Sequence, residues 1–238
     1  MNRRARKRIA RIQEMLEVAR NIVAQHGLEA LTIAKLAKEL DAAVGALYRY
    51  FPSKDALLLS LQLHALEEFA ETLESRVKSF QETLAQQGQN ISQSPANALA
   101  QILLVMHFYL DDAKRAPSRS RLIHAFMSTY DPMLTEEGAR QGGTLIQRIL
   151  SHAGEGLRAM ELPGKTKEEL EQFTHTLWAL THSFTLFRKR DRVQPEHLQT
   201  EVLILSSKKW LFTGWGLSQE TIEQAEQIFS DFQEQEDD

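Results

Sequence analysis

Apolar residues recur at three- and four-residue spacing along nearly the whole chain, and that period predicts helices throughout. Ile9, Ile12, Leu16, Ala19 and Val23 share one face of a helix over about 4–26, which Gly27 ends. Two short helices follow, from Ile33 to Leu40 and from about Val44 to Tyr50, the second stopped by Pro52. Ser53 is a good N-cap for a long helix in which Leu58, Leu61, Ala65, Phe69, Leu73, Val77, Phe80 and Leu84 hold one face. The Gln-rich, Gly- and Ser-containing stretch from Gln86 to Ser94 breaks the period and reads as a loop.

Beyond Pro95 a helix carries Leu99, Ile102, Leu103, Met106, Tyr109 and Leu110, and Pro117 and Pro132 bracket a shorter one with Leu122, Ile123, Phe126 and Met127. Another is expected from about Thr135 to His152, with Gly154, Gly156, Pro163 and Gly164 breaking the chain after it. Gly142-Gly143, inside that helix, reads equally as a kink or a close packing point. Thr166 and Glu169 have the spacing of a capping box. The helix they open, with Phe173, Leu177, Trp178, Leu180, Phe184, Leu186 and Phe187, is apolar on several sides. Helices from Pro195 to Phe212 and from Ser218 to about Phe232 follow, with Glu234 to Asp238 read as a solvated acidic tail. No period-two alternation and no internal repeat occurs, so the expected class is all-α.

Composition narrows the chemistry. The 238 residues are 42% hydrophobic and 25% charged, as in ordinary globular proteins. No apolar run approaches the ~18–20 residues of a membrane span, and the basic start leads into no apolar segment. We therefore expect no membrane partner and a cytoplasmic location. With no cysteine, disulfides, thiolate catalysis and thiolate metal sites are excluded. The net charge of −4 conceals an asymmetry: residues 1–60 carry 11 Lys+Arg against 6 Asp+Glu, whereas the remainder carries 17 against 26. A basic module joined to an acidic body reads either as an N-terminal part that meets a polyanion or as an ordinary small charge imbalance, and position and motif decide between them.

The two short helices, turning at Asp41-Ala42-Ala43, form with the first helix the outline of a helix-turn-helix, whose second short helix enters the major groove. Thr32 stands at a helix start, where its hydroxyl and free backbone amides suit a phosphate. Gly45 and Ala46 are small enough for close approach to DNA, Tyr48, Arg49 and Tyr50 supply hydrogen-bonding and cationic groups, and Lys54 adds a charge. Arg3, Arg4, Arg6, Lys7, Arg8 and Arg11 read either as an arm that follows phosphates or as a solvated terminus.

The stretch GLEALTIAKLAKELDAAVGALYRYFPSKDALLLSL (27–61), and above all its core GALYRYFPSKDALL (45–58), resembles the signature of the TetR/AcrR family of regulators. The resemblance covers about the first 60 residues. It implies a three-helix DNA-binding domain (1–52) joined by a long connector helix (53–84) to a larger helical effector-binding and dimerisation domain (53–238). It further implies phosphate contacts at Thr32, Tyr48 and Lys54, base or groove contacts at Lys35, Val44, Ala46, Arg49 and Tyr50, and a small core of Leu31, Ile33, Leu36, Ala37, Leu40, Leu47 and Phe51. Two positions depart from the family pattern. Asp41 replaces the usual turn glycine, which aspartate tolerates. Ala43 replaces a serine that caps the recognition helix and meets a phosphate.

The resemblance also implies a homodimer on a near-palindromic operator, most often a repressor, released by a small-molecule effector whose identity is unknown. Candidate effector-contacting residues are Met106, Tyr109, Phe126 and Phe184, and candidate dimer-interface residues are Trp178, His182 and Trp210. His107, His124 and His182 are further candidates to line a pocket. No cofactor, metal or catalytic site is expected. His175 and His182 are seven residues apart, too far for one helix to chelate a metal. The Ser-x-x-Lys matches at Ser75 and Ser206 lack companion motifs, and Gly154-Glu-Gly156 lacks the third glycine and the strand of a dinucleotide site. The alternative is a helical enzyme or protein-interaction module that retains a helix-turn-helix.

Overall fold

A computed structural model describes residues 2–128 and 135–237, apart from the side chains of 188–190 and 237. The described residues are helical, with no strand among them. The elements are α1 (Arg3–His26), α2 (Ile33–Glu39), α3 (Val44–Leu47), α4 (Lys54–Gln86), α5 (Pro95–Arg115), α6 (Pro117–Ser128), α7 (Glu136–Ala159), α8 (Lys167–Phe187), α9 (Thr200–Gly214) and α10 (Gln219–Asp237), with short 3-10 turns at Leu28–Ala30, Arg188–Val193 and Glu196–Leu198. The expected break at Pro132 lies outside the described residues.

By packing, the chain divides into two compact units that are not contiguous in sequence. The first comprises Met1–Phe69 and Arg115–Ile146, the second Ala70–Lys114 and Gln147–Asp238. Helices α4 and α7 therefore each contribute residues to both.

In the first unit, α1 buries Met15, Leu16, Ala19, Ile22 and Val23 and stops at Gly27, whose φ of 83° suits glycine. The α1 helix packs against α2 and α6. Arg20 clamps Glu68 of α4 with two hydrogen bonds at 2.7 and 2.9 Å. Gly142 resolves as a close packing point, because a Cβ there would lie 2.0 Å from the Phe126 ring, whereas Gly143 faces open space.

In the second unit, α5 is the central helix. It buries Leu99, Ile102, Leu103, Leu104, Met106 and Leu110, together with polar Asn97, Gln101 and Asp112. Buried amides require partners, and these have them. Gln101 accepts from Gln81 Nε2 and donates to the His152 carbonyl, both at 2.8 Å. Asn97 donates to Gln89 Oε1 and the Asn90 carbonyl, which ties down the loop ahead of α5.

Three boundaries differ from the sequence expectation, each for a packing reason. Helix α7 does not break at Gly154 or Gly156 but runs to Ala159. Gly156 lies against α5, where a Cβ would sit 2.7 Å from Ile102 Cγ1 and 2.8 Å from the Ala98 carbonyl oxygen. The chain turns instead at Glu161, φ 47°, and Gly164, φ 71°. The helix expected from Pro195 is split, because Asp191 Oδ1 accepts from the Thr200 backbone N at 2.9 Å and from its hydroxyl at 2.8 Å and so starts α9 at Thr200. The acidic end is solvated only in part: Glu234 and Gln235 are exposed, but α10 continues to Asp237, Glu236 is ion-paired with Arg76, and Ser79 Oγ donates to it at 3.3 Å. One helical turn earlier Phe232 packs edge-on to Phe80, with ring centroids 5.3 Å apart. The Thr166–Glu169 capping box forms reciprocally, at 2.9 and 3.2 Å.

Candidate functional site

Residues 32–54 form a short hairpin with one buried and one exposed side. Thr32 is the N-cap of α2: its Oγ1 accepts from the Lys35 backbone N at 3.0 Å, which leaves the hydroxyl proton free to donate outward. At the other end of α2 the Leu40 N–H donates to Leu36 O at 3.1 Å and the Ala42 N–H to Ala37 O at 2.9 Å. Asp41 takes the left-handed conformation between them, φ 47°, as the family glycine would.

Ala43 is the N-cap of α3 and makes no side-chain capping bond. The α-helical part of α3 is one turn, Val44–Leu47, and 48–50 close it as a turn rather than continuing the helix to Tyr50. Pro52 supplies the reason, since it disfavours the helical conformation at the residue before it and lacks an N–H. Leu47 and Phe51 anchor the segment inside, with Leu31, Ile33, Leu36 and Ala37 beside them. Leu40, placed in the same core, is half-buried. Ser53 Oγ then accepts from Ala56 N at 3.0 Å, which caps α4 and sets Lys54 in its first turn.

The other side faces out. Val44 is 40% and Tyr48 51% exposed. Thr32, Ala43, Gly45, Arg49 and Lys54 are exposed, while Lys35, Ala46 and Tyr50 are half-buried. Arg3, Arg4, Arg6, Lys7 and Arg8 are helical and exposed, with Asn2 Oδ1 accepting from Ala5 N at 2.9 Å to start the helix. The Arg8 guanidinium lies 5.3 Å from the Tyr50 ring centroid, so the basic start of α1 adjoins the recognition segment. Sequence reasoning missed this contact, since nothing local joins positions 8 and 50. Cationic groups, a donor hydroxyl and a close-approach glycine on one face can hold a phosphate backbone against a short helix.

The remaining candidates do not share one site. In the second unit Met106 and Tyr109 line a narrow apolar cleft of about 20 Å³ with Val105, Ile149, Leu177 and Trp178. Tyr109 Oη lies 2.7 Å from His182 Nδ1, and burial pushes the phenol up and the imidazole down from their usual pKa values. Phe184 is packed with Leu110 and Ile204 rather than lining that cleft. Phe126 belongs to the first unit, against Gly142. Trp178 and His182 are half-buried and bound up with Tyr109, and of the three interface candidates Trp210 alone is exposed, at 70%. Leu186, Val193, Leu198, Val202 and Leu205 are further exposed apolar residues near it in sequence.

A larger cavity of about 390 Å³ lies elsewhere in the second unit, between α5 and α9, with His107 and Lys208 in its lining. His107 is held neutral by burial and by neighbouring Lys208, its pKa lowered to about 4. His124, in α6, belongs to the first unit.

Comparison with known proteins agrees with this geometry. A family model for bacterial regulatory proteins of the tetR family matches residues 15–61, which takes in the second half of α1 and all of the hairpin. The nucleoid occlusion factor SlmA of Vibrio cholerae is 33% identical over 124 residues, 51% of this chain and 56% of that protein. The chain thus spans about half the length of the curated relatives it matches. Among solved structures, the transcriptional regulator FadR of Bacillus subtilis, in complex with stearoyl-CoA, superposes with a TM-score of 0.59 at 16% identity, covering 85% of this chain and 98% of that one. The fatty acid degradation regulator FadR of Bacillus halodurans gives 0.53 at 15% identity, with the same coverage of 85% and 98%. At these identities the likeness is one of fold.

Proposed function

We propose that this chain, whose residues 15–61 match the model for bacterial regulatory proteins of the tetR family, is a DNA-binding transcription regulator, a homodimeric repressor that leaves a near-palindromic operator when a small molecule binds its second unit. The sidedness of residues 32–54 carries this reading: Thr32, Tyr48, Arg49 and Lys54 are at the surface and Lys35 and Tyr50 half-buried beside them, while Ile33, Leu36, Ala37, Leu47 and Phe51 are inside. In this reading Thr32, Tyr48 and Lys54 hold phosphates. Lys35, Val44, Ala46, Arg49 and Tyr50 face the groove, and Gly45 and Ala43 let the backbone approach. The two recognition segments of the dimer sit about 34–36 Å apart, one turn of DNA.

Dimerisation is assigned to the apolar surface around Trp210, with Val202 of α9, which are exposed while the stripe of Ile204, Lys208 and Phe212 is buried. A small-molecule effector agrees with the FadR fold, of which the Bacillus subtilis protein was solved with stearoyl-CoA. For efficient release the effector must favour the non-binding state by about 5.5 kcal/mol for a swing from 1:99 to 99:1.

The test is fluorescence anisotropy of labelled DNA from the promoter beside the gene, against random DNA of equal length at fixed salt. We expect tighter binding to the promoter fragment by at least about 10³. Equal affinity for the two would refute a sequence-specific regulator.

A further inference from the structure

The cavity between α5 and α9 holds a cation that no described residue pairs with. Lys208, in the middle of α9, is only 5% exposed, yet it lines a space of about 390 Å³. Lysine is almost never so buried unless paired. Among the described residues its ammonium makes no hydrogen bond and no ion pair within 4 Å.

The other charges of the lining are committed. Asp191 is bound to the backbone and hydroxyl of Thr200 at 2.9 and 2.8 Å. Lys114 Nζ lies 3.6 Å from Asp111 Oδ1 and 3.8 Å from Glu201 Oε1. Glu226 acts on Lys208 only at longer range, and desolvation pushes the lysine below its ordinary pKa. His107, neutral, contributes a ring nitrogen, and Leu110, Ile204 and Leu205 supply apolar wall. The volume is in the range of small-molecule pockets, about 300–1,000 Å³, whereas the cleft beside Tyr109, at about 20 Å³, holds at most a water.

We propose that this cavity is the ligand site of the second unit, and that it takes a small organic monoanion, a carboxylate on an apolar body, with the carboxylate on Lys208 and the apolar part against Leu110, Ile204 and Leu205. An anion there completes a buried ion pair and removes the cost of an unanswered ammonium. A cation or a neutral amphiphile of the same length gains only the apolar contact. The consequence for DNA release rests on the repressor reading above; the site itself does not.

Octanoate, octanol and octylammonium are titrated calorimetrically into the full chain and into Lys208→Met, Lys208→Arg and Met106→Trp. Octanoate should bind at least tenfold more tightly than octanol or octylammonium. Lys208→Met should remove that preference and raise the melting temperature, which shows that it folds. Lys208→Arg should keep part of the preference, and Met106→Trp, in the narrow cleft, should keep all of it. No octanoate binding, equal affinity for octanoate and octanol, or an undiminished preference in Lys208→Met would overturn the site. Operator anisotropy with saturating octanoate is run in parallel. DNA release supports the effector role; octanoate bound without release refutes that role and leaves the site standing.

Discussion

Glycines at 143 and 156 lie in one helix, α7, and the same substitution at each should move stability in opposite directions. Replacing glycine by alanine in a helix gains about 0.8–1 kcal/mol from reduced backbone freedom in the unfolded chain and better propensity. At Gly143 nothing lies within 4 Å of the added methyl, so that gain is realised. At Gly156 the methyl would sit 2.8 Å from the Ala98 carbonyl oxygen and 2.7 Å from Ile102 Cγ1. The isoleucine can turn, but the carbonyl belongs to the backbone of α5 and moves only with the helix. Overpacking of this kind costs about 1–3 kcal/mol, and a rigid neighbour puts it in the upper half of that range. The net loss at Gly156 is therefore about 1–2 kcal/mol, against a gain of up to about 1 kcal/mol at Gly143. With about 2–4 °C per kcal/mol for a chain of this size, calorimetry should show Gly156→Ala melting about 2–8 °C lower and Gly143→Ala about 2–4 °C higher. If Gly156→Ala melts at or above the parent, the tight α5–α7 contact, and with it the reason α7 passes through Gly156, is wrong.

Further outcomes follow from single sites. Ala43→Ser restores a side-chain cap to α3 and should stabilise the first unit by about 0.5–2 kcal/mol, seen as slower amide exchange at 44–47; unchanged exchange would show that the cap is not limiting. Lys54→Ala should lower the slope of log K against log salt for operator binding by about 0.9, and an unchanged slope would remove Lys54 from the phosphate contacts. Trp210→Arg should convert dimer to monomer in light scattering at micromolar concentration, and a retained dimer would place the interface elsewhere. His107 is neutral in the fold down to a pKa of about 4, whereas in the unfolded chain it takes a proton near 6.5. Its contribution is thus whole above pH 6.5 and is lost as pH falls towards 4, on the order of 2–3 kcal/mol; His107→Gln should flatten the stability profile in that window, and a parallel profile would refute the burial assigned to it.

What could be read from the chain was what is encoded locally. The stop at Gly27 and the Thr166–Glu169 cap depend on neighbours a turn or two away and form as expected, as do the faces of α1 and α4 apart from their starts, where Ile9 is exposed and Ile12 and Leu58 are half-buried. The 32–54 hairpin is the same case, since a cap, a turn and five buried side chains within 20 residues set its two sides. The misreadings arose where a distant partner decides. Gly156 looks like a breaker until Ala98 is seen against it, and Glu236 looks like a solvated tail until Arg76 is seen beside it. Lys208 in isolation is a surface lysine in an amphipathic helix. In the fold it is a buried cation that shares a cavity with residues of α5 and the 191–200 segment, which no spacing in α9 announces.

In the proposed reading, different residues of the 32–54 segment grip the DNA and read its bases. The proposed anchors are polar and lie at element ends: Thr32 at the start of α2, Tyr48 just past α3, Lys54 at the start of α4. Between them the surface offered to the groove is Ala43, Val44, Gly45 and Ala46, none of which carries a side-chain donor or acceptor. Such a surface can touch thymine methyls but cannot form the bidentate hydrogen bonds that distinguish guanine or adenine. Base discrimination by hydrogen bonding then falls to Lys35, Arg49 and Tyr50, with Tyr50 already engaged by Arg8. Binding of this design draws most of its strength from phosphate neutralisation and a smaller part from bases. Its operators should accordingly share a shape and a run of A·T pairs more closely than they share a strict sequence.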